Sequence, residues 1–278
     1  MDNSKIAFIS TVINQELYQK SSQLFPENIT KYVIDGKNGM FGIDSICYMM
    51  KKLKGTGIEW LIMADEDVLF VNPNIVFSLI EEMKAENYFV CGVRDGGVIP
   101  NRYFSPFLIN TFFSIINFKE LELIWNEKEV LKNQYINENE FREDLDKLNE
   151  AYDVKSIYEP YYCFYFWLRR KGKKILFLDA SAPFPDDKIT TLVCDSNSEK
   201  LLYHTWYARS YGNSEKHTKR INSVFKLLQF ENSNVSKPIV FKHKTFFLTQ
   251  KIKKFFRRLV MKFEKITNSN SKFKENIV

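Results

Sequence analysis

The sequence predicts an α/β protein, a mixed sheet flanked by helices. Three observations predict it. Short runs rich in β-branched residues recur along the first hundred residues and are apolar throughout, as in strands buried on both faces. Helical patterns of roughly 10–15 residues alternate with them. A chain of 278 residues with 45% hydrophobic and 27% charged content can build a sizeable core, which excludes a disordered, collagenous or disulfide-scaffold protein.

The elements follow in order. Residues 5–12, KIAFISTV, read as a buried strand, and 13–29 as a helix and loop ending near Pro26. KYVID at 31–35 is a second strand, closed by Gly36 and Gly39. Ile43, Ile46, Met49 and Met50 recur at helical spacing over 42–54, and Gly55 and Gly57 end that helix. EWLIMA at 59–64 is a third strand, 73–86 a helix with Pro73 near its first turn, and YFVCGV at 88–93 a fourth strand. Residues 104–124 are aromatic and amphipathic. Residues 126–153 carry nine acidic and four basic residues and predict a solvated helical insertion. An aromatic helix over 158–171 ends at Gly172 before a strand over 173–180. In such sheets ligands sit beyond the carboxyl ends of strands, here just after Val12, Ile34, Ala64 and Val93.

Charge is divided unevenly. Residues 238–278 hold eleven Lys/Arg and two Glu, a net +9, which leaves −3 for residues 1–237. The chain therefore reads as a body over 1–235 and a basic tail over 236–278. Within the tail, Leu248, Ile252, Phe255, Phe256, Leu259, Phe263 and Ile266 recur at helical spacing among lysines and arginines. A basic amphipathic helix of this kind is expected to lie on an anionic membrane surface, with packing of its apolar stripe on the protein body as the alternative. No nucleic-acid motif accompanies it, so no nucleic-acid partner is expected. Residues from about 267 are expected to be disordered. No run approaches the roughly 20 apolar residues of a membrane span. Cys47, Cys91, Cys163 and Cys194 form no CxxC pair and read as buried small hydrophobes in a reducing cytoplasm. The N-terminus lacks a secretory pattern, so the expected location is cytoplasmic, peripheral on the inner face of the membrane.

The strongest chemical feature is Asp65-Glu66-Asp67 after the third strand. In extended backbone, residues i and i+2 project to one side, and Glu66 faces away toward a structural role. Two carboxylates there suit Mg²⁺ or Mn²⁺. Such a cation would neutralise a nucleotide diphosphate as leaving group. A solvated acidic turn is the plainer alternative.

Strand, D-x-D, apolar run and Asn72-Pro73 resemble the metal motif of GT-A fold glycosyltransferases that use nucleotide-sugar donors. KIAFIST is similar to their first strand, and VIDG at 33–36 to the second-strand end. Residues 159–180 resemble the acidic motif, helix, Gly and strand carrying the acceptor-side base of inverting members. LLYHTWYARSYG at 201–212 resembles the late His segment. The resemblance spans roughly residues 5 to 212 and departs at Glu159-Pro160, where two adjacent carboxylates are usual, and at Asp35-Gly36-Lys37-Asn38.

It implies a metal held by Asp65, Asp67 and His204. It also implies a donor, foremost a UDP-sugar, contacted by Ser10, Thr11, Val12, Asp35, Gly36, Asp65 and Arg209. Glu159 is the expected base, with a helix N-terminal carboxylate ahead of Pro160 at the first helical position as the alternative. Asp95, in Arg94-Asp95-Gly96-Gly97, is a rival base or donor-sugar contact. His217 and Arg220 read as a solvated basic face, and Asp186-Asp187 as a surface turn. Tyr103-Phe104-Ser105-Pro106-Phe107 borders the expected acceptor site. The implied acceptor is a glycan or lipid-linked glycan in bacterial surface polysaccharide or lipopolysaccharide synthesis, with inversion favoured.

Two rivals stand beside this reading. A sugar-1-phosphate nucleotidyltransferase would open with a Gly-rich phosphate loop, but residues 10–20 contain no glycine. A non-catalytic membrane-surface binding protein would need only the tail.

Overall fold

The computed structural model describes residues 2–96, 98–99, 102, 104–142, 145, 148, 152–228, 237–252 and 255. Ten strands are present among them: β1 Ile6–Val12, β2 Thr30–Asp35, β3 Trp60–Ala64, β4 Val68–Phe70, β5 Val90–Arg94, β6 Ile109–Asn117, β7 Ile175–Ser181, β8 Thr191–Cys194, β9 Lys200–His204 and β10 Ile239–Phe241. They form one mixed sheet in the order β10-β2-β1-β3-β6-β5-β7-β8-β9-β4. β10, β2, β1 and β3 are parallel, β6 runs against both β3 and β5, and β7, β8, β9 and β4 alternate in direction.

Helices cover both faces, as the uniformly apolar strands require. Ile6, Phe8 and Val12 of β1 pack with α1 (Gln15–Ser21), α3 (Ile75–Ala85) and α7 (Glu215–Phe225). Ala7 and Ile9 point the other way. That core includes α2 (Ile43–Leu53), α4 (Phe118–Ile124), α5 (Glu127–Leu131) and α6 (Tyr162–Arg170). All seven residues from Tyr162 to Leu168 are buried, so the aromatic helix is core on every side.

One topological fact creates the site. Three residues separate β3 from β4, yet five strands lie between them in the sheet. From Ala64 to Val68 the chain reaches at most about 14 Å. The sheet must therefore curl until its far edge meets the carboxyl end of β3.

The structure corrects several expectations. β6 lies within the segment read only as aromatic and amphipathic; Phe112, Phe113, Ile115 and Ile116 are all buried, as in a strand covered on both faces. The acidic insertion is α-helical only over Glu127–Leu131 among its described residues. α6 begins at Tyr162 behind the cap residue Tyr161, so Pro160 precedes the helix. Asp65-Glu66-Asp67 is a turn closed by Val68 N–H donating to the Asp65 carbonyl at 3.2 Å, not extended backbone. In the tail, Phe241 stacks on Tyr32 at 5.4 Å as β10 joins the sheet, and 246–252 are helical. The rest of the expected tail helix, 253–254 and 256–266, and the expected disordered end lie outside the described residues.

Candidate active site

The pairing of β4 with β9 sets Val68 opposite His204. Asp67 and His204 therefore meet at the strand ends, Oδ1 to Nε2 3.4 Å, both buried. Thr205 secures the contact, because its N–H and hydroxyl each donate to the Asp67 carbonyl at 3.0 Å. Phe112 stacks on the imidazole at 3.9 Å and Trp206 lies 4.2 Å from it, ring centre to ring centre. Nδ1 of His204 is buried without a hydrogen-bond partner among the described residues.

Glu66 takes the structural role its position implies. Its Oε1 accepts the backbone N–H groups of Ile13 at 3.0 Å and Asn14 at 3.1 Å, tying the end of β1 to the acidic turn. Burial, and then the neighbouring Asp67, push its carboxyl up to about 7. Asn14 caps α1 through Leu17 N–H and donates to the carbonyls of Ala208 and Tyr211 at 3.0 and 2.8 Å. That bond places the segment carrying Arg209 against β1. Burial first, then Glu66 and Asp67, hold the Asp65 carboxyl well above its usual range, and the Arg209 guanidinium opposes them.

These groups line a cavity of about 800 Å³ at the carboxyl ends of β1, β2 and β3. Thr11, Asp65, Asp67, Glu159, His204 and Arg209 are all on its wall. Ser10 and Val12 alternate with the lining residues Ile9, Thr11 and Ile13 and are not on it, as the two-residue period of a strand requires. Asp35 accepts Lys37 N–H at 3.2 Å, faces Lys242 at 3.8 Å and is also off the wall. Gly36 is likewise off the wall but packs against Thr11 and Ile13, which are on it. A Cβ there would come within 3.0 Å of Ile13 Cγ1 and 3.2 Å of Thr11 Cγ2.

Asp95 is fully buried just outside the cavity lining. Its Oδ1 accepts from Tyr161 hydroxyl at 2.8 Å and Asn110 Nδ2 at 2.9 Å, and its Oδ2 from Tyr162 hydroxyl. Burial raises its carboxyl despite those donors. Tyr161 and Asn110 do line the cavity, so Asp95 orients two wall residues. Glu159 is half-buried and faces Arg102, Nη2 to Oε1 3.1 Å. Burial raises its carboxyl, Arg102 opposes the rise, and Asp95 adds to it.

Sequence reasoning missed Arg102, Asn110, Thr111 and Phe112 on the wall. The last three follow from β6, whose β-branched and aromatic run INTFFSII was the available signal. Arg102 packs 4.9 Å over Trp206 across the cavity, a contact no local pattern encodes. Asp186 is an exposed turn residue, as expected, but Asp187 is mostly buried and pairs with Arg220 at 3.4 Å, so Arg220 is not on a solvated face.

Among the described residues no group of three or more His, Cys, Asp or Glu side chains is arranged to hold a metal ion. The Asp67–His204 pair nevertheless fits a cation shared with a substrate. Mg²⁺ is typically bound through one or two carboxylates plus substrate phosphates rather than a full protein cage. Imidazole and carboxylate together also suit Mn²⁺.

No family model and no curated protein matches this chain. Among solved structures, similarity is found to a glycosyltransferase involved in the glycosylation of the major capsid of PBCV-1, at 16% identity over 80% of this chain and 99% of that one, TM-score 0.43. Mouse xyloside xylosyltransferase 1 is similar at 10% identity over 84% and 99%, TM-score 0.37. The mannosyltransferase PcManGT from Pyrobaculum calidifontis, in complex with GDP-Man and Mn²⁺, is similar at 9% identity over 43% and 46%, TM-score 0.28. At these scores the likeness assigns no activity to the chain.

Proposed function

We propose that the chain is a glycosyltransferase that moves a sugar from a nucleotide-diphosphate donor to a glycan or lipid-linked acceptor. The observation that carries the reading is the cavity itself. It brings Asp65, Asp67, His204 and Arg209 to one wall region, with Glu159 on the same cavity. Its volume, about 800 Å³, is within the usual range of small-molecule sites.

In this reading Asp67 and His204, with Asp65 beside them, would hold Mn²⁺ or Mg²⁺, which would supply charge stabilisation to the diphosphate leaving group. Arg209 supplies a further cation toward that charge. Thr11 and Ile13, at the end of β1, border the nucleoside. Glu159 accepts the proton of an acceptor hydroxyl as its oxygen bonds to the anomeric carbon. The bond from that carbon to the diphosphate oxygen breaks, and the nucleoside diphosphate leaves with the electron pair. A base acting opposite the leaving group gives inversion.

The membrane part of the reading rests on the basic tail. Among the described residues Phe247, Leu248, Ile252 and Phe255 are exposed, with Lys242, Lys244 and Lys251 nearby in sequence. No helix of the described residues is long and apolar enough to cross a membrane. A surface helix delivering the active site to a lipid-linked saccharide, in surface polysaccharide or lipopolysaccharide synthesis, agrees with both facts. Full-length protein should float with anionic vesicles, and a chain ending near residue 240 should not.

The nucleotidyltransferase alternative needs free backbone N–H groups after β1 for a triphosphate. Those of Ile13 and Asn14 are taken by Glu66. A screen of nucleotide sugars for nucleoside-diphosphate release, with Mn²⁺ or EDTA, tests the proposal. Mn²⁺-dependent release from one donor supports it; pyrophosphate release from a nucleoside triphosphate favours the alternative.

A further inference from the structure

The chain leaving β9 passes through two consecutive non-glycine residues in the left-handed region, Trp206 at φ 56° and Tyr207 at φ 64°. Such backbone persists only where its surroundings over-determine it. Here α7 supplies those surroundings. It presents His217 and Arg220, three residues apart and so on one face. Tyr207 stacks on His217 at 4.4 Å. Arg220 Nη2 donates to the carbonyls of Thr205 and Trp206, the latter at 3.1 Å. Its Nη1 donates to Thr190 Oγ1 at 2.8 Å and faces Asp187 Oδ2 at 3.4 Å. Asp187 is anchored in turn, accepting N–H of Ile189 at 2.9 Å and of Thr190 at 3.1 Å. The side chains of Arg220 and Asp187 are only 11% and 14% exposed. Trp206 Nε1 donates to Thr191 Oγ1 at 3.1 Å, tying the indole to the same support.

We propose that Arg220 is a positioning residue for the Asp67–His204 corner, acting through the Thr205–Tyr207 backbone. Thr205 holds the Asp67 carbonyl from one side, and Arg220 grips the Thr205 carbonyl from the other. The bonds to Asp67, Thr205, Trp206 and Thr190 thus form one connected path from α7 to the cavity wall. A lysine cannot replace this fork, because one ammonium nitrogen cannot serve both sides at once. The functional half of the proposal rests on reading the cavity as a metal-assisted nucleotide-diphosphate site.

The test uses full-length Arg220→Lys, with Asp187→Asn as a milder second variant if Arg220→Lys does not fold. Hydrogen exchange of the ligand-free proteins reports the backbone over 204–208. Calorimetry with UDP and GDP, with and without Mn²⁺, reports the site. The expected result is a folded variant whose amides at 205–207 exchange faster. Its Mn²⁺-dependent affinity should fall about 10- to 100-fold, as for loss of an outer-shell partner of a metal ligand. Affinity without Mn²⁺ should stay at the wild-type value. Wild-type exchange together with wild-type affinity overturns the proposal, and so does an equal loss with and without Mn²⁺. If wild type binds neither nucleotide, the reading of the cavity fails, and exchange alone decides: faster amides support Arg220 as the support of this turn, unchanged amides overturn it.

Discussion

Asp67 Oδ1 and His204 Nε2 stand 3.4 Å apart because Val68 pairs with His204 across the β4–β9 ladder. The two residues are 137 positions apart in sequence, so this meeting is a product of sheet curl. The imidazole is held between Phe112 and Trp206. His204→Phe should keep that stack and remove only the nitrogen ligand. We expect a thermal midpoint close to wild type. Mn²⁺-dependent nucleotide affinity, read by calorimetry, should weaken by at least about tenfold, or 1.4 kcal/mol.

Glu159 gives a pH prediction with a definite sign. Burial raises its carboxyl above the ordinary carboxylate range. A base must be ionised to accept a proton, so transfer should rise with pH through that raised value and fail below it. Arg102 opposes the rise. Arg102→Ala should therefore move the acid limb of the kcat/KM profile to higher pH, and Glu159→Gln should abolish the limb along with most of the rate.

A second pH prediction concerns stability. Arg170 donates to Glu140 through Nε and Nη2, both at 2.8 Å, with each side chain 17% exposed. The Arg170 hydrogen bond holds the Glu140 carboxyl below its usual value. A lowered folded-state value means the contribution is present above the unfolded pKa of about 4.3 and is lost as pH falls through the folded one. Glu140→Gln should cost about 1–3 kcal/mol at pH 7, measured by urea unfolding. The difference from wild type should shrink toward zero as the pH is lowered through the folded-state value.

Asp95 separates positioning from chemistry. Three donors converge on its carboxylate. Asp95→Ala would strand Tyr161, Tyr162 and Asn110, each at a cost of about 1–3 kcal/mol. Denaturant titration should show a loss of several kcal/mol. Tyr161→Phe should show a much smaller loss and retain measurable transfer. A variant at Asp95 that kept full stability while losing all transfer would favour the residue as the base.

Five of the ten strands, β1, β2, β3, β5 and β7, were legible as short apolar runs rich in β-branched residues, with glycines punctuating the helices between them. The acidic turn was legible from its place after WLIMA, although the i, i+2 argument failed because the Asp65 carbonyl closes a turn onto Val68. β6 was missed because its run INTFFSII lies inside one aromatic stretch, 104–124, that passes straight into the helix at Phe118. The surroundings of Asp95 depend on tyrosines 66 and 67 residues away. Arg220 looked like a solvated cation because its partners, Asp187 and the Thr205 and Trp206 carbonyls, are set by tertiary packing.

The most direct test of the central claim is binding of UDP and GDP, in the presence and absence of Mn²⁺, to wild type and Asp67→Ala. The account predicts that wild type binds one of them in a Mn²⁺-dependent way and that Asp67→Ala, still folded, loses that dependence. Binding that ignores both Mn²⁺ and Asp67, or no binding by wild type at all, would contradict it.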